Sequence, residues 1–583
     1  MEAFVADLDR SGETHRPEKF SDFRKVLANV AAHPNRRYFI FKSIILNNLY
    51  GVDIMEEAVE ICKLRLFLKL AAQVEPDTAR ENLGIEPLPD IDFNIKAGNT
   101  LVGYTGLEQI RDAAEQAQPR HGARQGRLLF PETAARIDQI EALAADLQQA
   151  FDAFRARQVE GDGSVPVEDK QELRKRLAAL DEELNRYLAG EYGVEPSKTD
   201  AYAKWLKSHQ PFHWFVEFYG IVNWGGFNVV VGNPPYVEWS KVPAYRPQTA
   251  SYTTLACGNI YTAICERSYG LLSKLGRFGM IVPISCVATE RMRPLRDVWT
   301  SHQMLTHGSF YSGDAHPSVL FNGVKFRLAI LIQAIGAQQQ GQYSTHFQRW
   351  YPEHREALFH LIQYTPFDSK LVRGSLWPKV CSETHRGTLS RLCAQKVTLA
   401  HFVNEGSRHE VYSHRIVAHF VKALDFVPHF SSERDGNKRS EDYKVFGVAT
   451  AIERDVLAAV LNSTLFYQWF VTYSDVYHCG REIILDFPTD LASMTTSCGK
   501  ALRSCNAKLM KSLRHDSVRR RIPYQKTGIV EYDEFYPRLS KALIDEIDNV
   551  LARHLAFSEE ELDFIINYDI KFRMGRDAER EDE

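Results

Sequence analysis

Positions 227–236 read Phe-Asn-Val-Val-Val-Gly-Asn-Pro-Pro-Tyr. A run of β-branched apolar residues that stops at a glycine and two prolines predicts a buried parallel strand followed by a rigid loop. The prolines fix their own φ angles and restrict the residues that precede them, including Asn233. Because open α/β sheets bind ligands at the carboxyl ends of their strands, this loop is a candidate site. A plain turn is the alternative, since Asn-Pro pairs mark turns in many proteins.

The loop offers the planar amide of Asn233, the backbone carbonyl of Pro234 and the ring of Tyr236. The two oxygens are hydrogen-bond acceptors that suit an exocyclic amino group, and the ring can stack on a flat base. With its preceding strand, the segment resembles the catalytic motif of DNA methyltransferases that modify the amino group of adenine. It is most similar to the gamma class, in particular to the methylase part of type IIG restriction-modification enzymes and to related phage-defence methylases.

The resemblance implies a Rossmann-like α/β methyltransferase sheet, S-adenosyl-L-methionine as cofactor and double-stranded DNA as substrate. The target adenine would leave the base stack, because its amino group is out of reach inside the duplex. No metal is implied. The resemblance assigns catalysis to Asn233, Pro234, Pro235 and Tyr236, and it also places Asn233 against the cofactor. Tyr236 and Phe321 would stack on the extruded base from opposite sides, although a core aromatic is the alternative interpretation of Phe321.

Two further predicted strand ends are candidate cofactor contacts. Asp53 and Ile54 end one strand just before a helix, where nucleotide-binding folds bind ribose hydroxyls. Asn99 and Thr100 end the next, and an amide there can pair with an adenine edge. The resemblance assigns the first pair to the ribose of the cofactor and the second to its adenine. A helix N-cap at Asp53 and a simple turn at Asn99 are the alternatives.

One motif of the resembled family has no match in this sequence. The glycine-rich cofactor loop of the family, Asp-Pro-x-x-Gly-x-Gly, is expected before Asp53, but residues 1–52 contain only Gly12 and Gly51. The methyltransferase sheet is therefore expected to be incomplete at its N-terminus, through truncation of the chain or because another polypeptide supplies the loop. Pro89-Asp90 has no matching Glu-x-Lys of a nuclease motif. The nuclease of type IIG enzymes usually lies N-terminal to the methylase, so this absence does not bear on whether a nuclease is coupled, and a partner that supplies one stays open.

Four parts are predicted along the chain. They are the N-terminal part of the methyltransferase core (1–104), a helical insertion (105–210), the catalytic part of the core (211–335) and a mixed α+β target-recognition region (336–583). Predicted helices cover 20–33, 56–70, 134–158, 169–188, 258–275 and 451–470, and predicted strands cover 44–54, 93–101, 227–232, 277–283 and 327–332. The acidic last ten residues are expected to be disordered.

The overall charge does not indicate a nucleic-acid binder. The formal net charge is −4, so any DNA-binding surface must be a local basic patch. The stretch 500–526 is the strongest candidate, and we assign phosphate contacts to Arg514, Arg519, Arg520 and Arg521. A solvated basic helix is the alternative.

Composition favours a cytoplasmic protein with no membrane contact. Nine cysteines without a Cys-x-x-Cys pair favour reduced thiols, and no apolar run reaches membrane-spanning length. Two other functions stay open. One is a catalytically incomplete DNA-recognition subunit, favoured by the missing glycine loop. The other is methylation of protein or RNA, which related Asn/Asp-Pro-Pro-Tyr loops perform.

Overall fold

The computed structural model describes residues 21–79, 83, 85–116, 131–160, 165–242, 244–248, 251–301, 304–313, 319–321, 323–338 and 340–575. The chain forms two compact units. The first contains Met1–Phe227, Glu238–Tyr252 and Arg267–Ser273, and the second contains Asn228–Val237, Thr253–Glu266 and Lys274–Glu583. Disorder is predicted for the last ten residues, 574–583, and all of them except 574 and 575 lie outside the described residues. No helix within the described ranges is both long and apolar enough to cross a bilayer.

The first unit is mostly helical. Its elements are α1 Ser21–Ala32, α2 Arg36–Asn48, β1 Gly51–Asp53, α3 Glu56–Ala71, β2 Ile95–Ala97, α4 Leu107–Gln116, α5 Pro131–Glu160, α6 Val167–Glu191, α7 Thr199–His209, α8 Trp214–Glu217 and α9 Tyr219–Asn223. Strands β1 and β2 pair in parallel, with Asp53 opposite Ala97. The helices predicted over 134–158 and 169–188 are present as α5 and α6, and leucines buried every three or four residues along α6, from Leu173 to Leu188, face one core.

Within its described residues, the second unit contains three sheets. The elements after α9, of which β3, α10 and β4 include residues of both units, are β3 Phe227–Gly232, α10 Ile260–Leu271, β4 Leu272–Pro283, α11 Ser285–Ala288, α12 Arg293–Ser301, β5 Met304–Tyr311, β6 Leu328–Ile335, β7 Gly341–Gln348, β8 Thr365–Phe367, α13 Glu383–Cys393, β9 His409–His414, β10 Ala423–Leu424, β11 Phe430–Ser432, β12 Gly436–Asn437, β13 Tyr443–Val448, α14 Ala451–Asn462, α15 Thr464–Tyr473, α16 Arg481–Leu485, α17 Leu491–Ser497, α18 Gly499–His515, β14 Val518–Tyr524, β15 Gly528–Glu534, α19 Lys541–His554, α20 Glu559–Ile566 and α21 Ile570–Arg573.

The largest sheet has the order β3-β4-β6-β5-β7-β8. It is mixed: β6 runs antiparallel to β4 and β5, whereas β5 and β7 are parallel. The other sheets have the orders β10-β9-β13 and β12-β11-β15-β14. The fold is thus mixed α/β with several sheets, and β1 and β2 form a sheet of their own rather than continuing the one that contains β3.

Several sequence predictions were wrong. The strand over 44–54 is only β1, because Tyr38, Lys42 and Ile45 are buried at helical spacing and the apolar run before it belongs to α2. The predicted strand over 93–101 shortens to β2. Strand β3 is at the edge of its sheet, so it is largely exposed and not buried.

Two long helical predictions break into shorter elements. The helix over 451–470 is two helices, since Ser463 has extended backbone and its Oγ accepts a hydrogen bond from the amide of Phe466 at 3.1 Å, which starts α15. The helix over 258–275 ends at Leu271, where β4 begins. The basic stretch is not one helix either, because α18 ends at His515 and the three arginines that follow lie on β14.

A buried ion cluster ties α21 to the end of β7. Asp569, in the left-handed backbone region at φ +57°, contacts the Arg349 guanidinium and lies 3.1 Å from His346 Nε2. The Arg349 and Asp569 side chains are only 1% and 4% exposed, so each depends on the other for charge compensation. Burial alone would raise the Asp569 pKa, but the charges of His346 and Arg349 outweigh it and hold that pKa well below 3.8.

Candidate functional site

The loop after β3 presents Asn233 to solvent. Asn233 and Pro235 are exposed, Pro234 is buried and Tyr236 is half-buried. Pro234 packs into the protein and holds the loop in place, while the Asn233 amide stays accessible to solvent at the end of the strand. Beyond the loop, the Val237 carbonyl accepts a hydrogen bond from the Ile260 amide at 2.9 Å, which ties the segment to the start of α10.

The Tyr236 hydroxyl orients the Asn233 amide. It donates to Asn233 Oδ1 at 2.5 Å and lies 3.0 Å from a second acceptor, the carbonyl oxygen of Ile281 on β4. Burial raises the Tyr236 pKa to about 12, so the hydroxyl keeps its proton at neutral pH. A carbonyl-type oxygen has two lone pairs. The hydroxyl therefore occupies one of them and leaves the other for a donor on a ligand.

Two aromatic rings meet the Tyr236 ring edge-on. Tyr261 lies 6.4 Å away and Phe326 5.8 Å away, centroid to centroid. Tyr261 is buried, whereas Phe326 is 52% exposed. The backbone at Phe326 is closely packed, because a Cβ at Gly313 would lie 2.3 Å from the Phe326 carbonyl carbon.

Sequence reasoning missed Phe326 and selected Phe321, five residues earlier. Phe321 is 38% exposed, and its stacking role stays a prediction. The two phenylalanines flank the same short segment, and only the resemblance favoured the first of them. A spacing rule cannot tell which ring meets Tyr236, since that depends on how the segment approaches Gly313.

The predicted cofactor residues share one end of the β1–β2 sheet. The Gly98 amide donates to the Asp53 carbonyl at 2.8 Å, which brings the two strand ends together. The Asp53 side chain is exposed, and its Oδ1 accepts from the Met55 amide at 2.8 Å, the turn that precedes α3. Ile54 is also exposed, and Thr100 is half-buried.

Asn99 is buried at the same strand end. Its Oδ1 accepts from the Leu101 amide at 3.1 Å. Its Nδ2 is buried, and the Tyr245 hydroxyl lies near enough to interact with the Asn99 side chain. An amide nitrogen carries two hydrogens, so Asn99 can also donate to a ligand that offers a ring nitrogen or another acceptor. An exposed carboxylate at Asp53 fits a diol. The residues present are therefore suited to a nucleoside.

A basic aromatic cleft lies in the C-terminal part of the second unit. Its volume is about 900 Å³. The residues that line it include Phe426, His429, Phe430, Lys438, Arg439, Arg514, Arg519, Asp533 and Phe535. We call it the Arg514 cleft, because the Arg514 guanidinium stacks 3.9 Å above the Phe426 ring. Cationic groups beside aromatic rings are the usual makeup of a nucleic-acid contact surface.

The four predicted phosphate contacts do not share one surface. Arg514 and Arg519 line the Arg514 cleft. Arg519 is opposite Asp533 across the β14–β15 pair and bonds it at 2.8 and 3.2 Å. Arg520 instead contacts Glu534 at 2.6 Å and the Tyr536 hydroxyl at 2.8 Å, and Arg521 contacts Glu531 at 3.1 Å. Acids on β15 thus offset much of the charge that the sequence alone implied.

Comparison with known proteins finds that this region is similar to restriction-modification methylases. The segment 47–313 matches the family described as the Eco57I restriction-modification methylase. It contains both the β1–β2 strand ends and the Asn233–Tyr236 loop.

One curated relative and two solved structures illustrate the similarity. The relative is a type II restriction enzyme and methyltransferase of Methanocaldococcus jannaschii, 27% identical over 290 residues, or 43% of this chain. The chain spans only 23% of that relative's length. The type IIL restriction-modification enzyme MmeI is 10% identical, with a TM-score of 0.30 and 81% of this chain and 75% of that chain covered. The type IIG restriction endonuclease BpuSI is 10% identical, with a TM-score of 0.26 and coverages of 95% and 78%.

Proposed function

We propose that the chain methylates the exocyclic amino group of adenine in duplex DNA, with S-adenosyl-L-methionine as donor, in a restriction-modification or phage-defence system. The observation that carries the proposal is the exposed Asn233 amide at the end of β3, held by the Tyr236 hydroxyl at 2.5 Å. The match of residues 47–313 to a methylase family supports the reaction class. Methylation of protein or RNA has no comparable support.

Asn233 and Pro234 would prepare the amino nitrogen. The lone pair of that nitrogen is delocalised into the purine ring, so it is a poor nucleophile. Asn233 Oδ1 and the Pro234 carbonyl would each accept one of its hydrogens and favour the pyramidal form. When bound, the cofactor supplies an electrophilic methyl group. The nitrogen then forms its bond to the methyl carbon as the carbon–sulfur bond breaks, and the amine afterwards releases one proton. Most of the acceleration comes from this alignment.

Asp53 and Asn99 would hold the cofactor nucleoside. The exposed Asp53 carboxylate would accept hydrogen bonds from the ribose hydroxyls, with Ile54 beside it, and the buried Asn99 Nδ2 would donate to the adenine ring, with Thr100 beside it. Isothermal titration of the chain with S-adenosyl-L-methionine tests this assignment. Micromolar binding that Asn99→Leu removes would support it. No binding would favour the second candidate, a DNA-recognition subunit that lacks the glycine-rich loop.

Tyr236 has two roles that separate in mutants. We expect Tyr236→Phe to lower methylation about fivefold to tenfold, since one neutral hydrogen bond contributes about 1 kcal/mol. Tyr236→Ala also removes base stacking, which contributes about 1–3 kcal/mol per base. With 2-aminopurine at the target position, the fluorescence rise on binding should persist in Tyr236→Phe and fall in Tyr236→Ala. Equal loss in both variants would contradict the stacking role.

We propose that residues 336–583 form the target-recognition region and that DNA phosphates enter the Arg514 cleft. Arg519→Ala should then weaken DNA binding and reduce the slope of log K against log salt by about one. Arg520→Ala is the matched control, because both side chains are about half-exposed (53% and 50%) and paired with an acid of β15. Anisotropy titrations over a range of salt concentrations measure both slopes. Equal effects of the two substitutions would contradict the assignment to the cleft.

A further inference from the structure

A second pocket lies beside the Arg514 cleft in the C-terminal part of the second unit. Its volume is about 530 Å³, which is within the size range of small-molecule sites. It shares His429, Phe430, Asp533 and Phe535 with that cleft. Its other lining residues come from β9, β13, β14 and β15 and from the turns beside them, so the pocket lies between the two smaller sheets of this unit. We call it the Lys422 pocket.

Two cross-strand pairs of rings line the Lys422 pocket, one from each sheet. Phe430 of β11 is directly opposite Tyr532 of β15, so both side chains lie on the same face of their sheet. His414 of β9 is opposite Tyr443 of β13, and their rings meet edge-on with centroids 4.9 Å apart. Burial and the nearby Lys422 charge lower the His414 pKa below 6.5, so this ring is neutral at pH 7. Rings from two sheets suit a planar heterocycle, which can stack on them.

The ammonium group of Lys422, next to β10, lines the same pocket without a partner. Among the residues that the structure describes, it has neither a hydrogen bond nor an ion pair, and burial lowers its pKa although the Glu534 carboxylate raises it. Each carboxylate that lines the pocket already has an arginine partner: Asp442 pairs with Arg415 at 2.8 Å, Asp533 with Arg519 at 2.8 Å and Glu534 with Arg520 at 2.6 Å. A desolvated ammonium is unfavourable without a counter-charge. An anion bound in the pocket would therefore be stabilised by Lys422.

His429 adds a polar atom on the wall that the Lys422 pocket shares with the Arg514 cleft. Its Nε2 is buried and has no hydrogen-bond partner within the described part of the chain. Buried polar atoms normally have one. The imidazole nitrogen can donate or accept according to its tautomer, so it suits a polar atom of a base or a sugar.

We propose that the Lys422 pocket binds one nucleotide, with its base stacked on the rings of the two sheets and its phosphate against the Lys422 ammonium. Every base has a flat π-face that aromatic side chains can contact. A phosphate supplies the negative charge that Lys422 lacks. Either a free mononucleotide or one nucleotide of a DNA strand presents this chemistry. The site does not rest on the proposed methyl transfer, because it uses neither the Asn233–Tyr236 loop nor the β1–β2 strand ends.

A comparison of nucleotides with nucleosides tests the site. Isothermal titration of the full chain measures the affinities of the four deoxynucleoside 5′-monophosphates and of the four deoxynucleosides. We expect a monophosphate to bind about tenfold more tightly than its nucleoside, and this advantage to vanish in Lys422→Met, which keeps the side-chain length. Lys444→Met is the matched control and should keep the advantage, because Lys444 is exposed on β13 and lines neither the pocket nor the cleft.

A second variant tests the stacking surface. Tyr532→Leu should weaken the monophosphate and its nucleoside by the same factor, about tenfold, because it removes a ring and leaves the ammonium in place. Absence of monophosphate binding by the folded parent chain would overturn the proposal. A phosphate advantage that persists in Lys422→Met, or that Lys444→Met also removes, would overturn it as well.

Competition with duplex DNA of mixed sequence separates the two sources of the nucleotide. Displacement of the monophosphate by DNA, together with weaker DNA binding by Lys422→Met, would support a nucleotide of the DNA strand. Simultaneous binding of DNA and the monophosphate would support a free mononucleotide. Nucleotide binding by a chain that does not methylate DNA would reject the proposed function and leave this site in place.

Discussion

Replacing Asn233 by alanine is expected to lower methyl transfer to DNA by about 100- to 1,000-fold, the usual loss when one preorganised polar group at a reacting centre is removed. The Asn233 oxygen is exposed, oriented by the Tyr236 hydroxyl at 2.5 Å and left with a free lone pair. Without it, the amino nitrogen of the base loses one of its two acceptors. Initial rates with a tritiated methyl donor and duplex DNA measure the effect.

The matched control is Asn228→Ala, which removes an exposed amide from the other end of β3. It should leave the methylation rate within about twofold of the parent, since exposed substitutions away from a site change little. Both variants should keep the parent's melting temperature because neither side chain is buried. A normal rate in Asn233→Ala, or equal loss in Asn228→Ala, would be inconsistent with the proposed role.

Asp569→Asn is expected to destabilise the second unit by about 3–5 kcal/mol, because it removes the carboxylate charge that the buried Arg349 guanidinium contacts. Asparagine tolerates the left-handed backbone at this position, so the change isolates the charge. Denaturant unfolding measures the difference. Glu383→Gln is the control, since Glu383 pairs with Arg386 on the surface of α13 and exposed pairs contribute about 0–1 kcal/mol.

The loss of unfolding free energy caused by Asp569→Asn should depend on pH. The folded-state pKa of Asp569 is lowered from 3.8, so its contribution is present above about pH 4 and is lost as the pH falls through the folded value. Burial alone would lower the His346 pKa, but the charge of Asp569 raises it above 6.5. That second contribution is present below pH 6.5 and is lost as the pH rises. The difference in unfolding free energy between the parent and Asp569→Asn should therefore be largest between about pH 4 and 6.5. A difference that stays constant from pH 4 to 9 would contradict the coupling between Asp569 and His346.

Sequence patterns predicted the long amphipathic elements well. Helix α3 and the α5–α6 hairpin lie within a few residues of their predicted bounds. Apolar residues that recur at helical spacing over several turns fit a helix and do not fit a strand. The Ile44–Leu46 run was assigned to a strand, since three apolar residues fit either period and only packing around Tyr38 and Lys42 selects the helix. The exposure of β3 depends on which strands are neighbours, and local sequence does not contain that information.

Site residues near one another in sequence were easier to predict than distant ones. The resemblance identified the Asn233–Tyr236 loop, in which the hydroxyl and the amide are three residues apart. The Phe326 ring comes from the segment that precedes β6, and the Asp533 partner of Arg519 comes from β15. The contact between Arg349 and Asp569 joins residues 220 positions apart. Contacts between such distant residues depend on how the whole chain folds, so local sequence patterns do not predict them.

The most direct measurement is mass spectrometry of nucleosides from the DNA of cells that express either the parent chain or Asn233→Ala. We expect N6-methyladenine with the parent and its loss in the variant, with both proteins present at equal levels. Methylated cytosine in place of N6-methyladenine, no methylated base with the parent, or unchanged N6-methyladenine in Asn233→Ala would each contradict the proposed function.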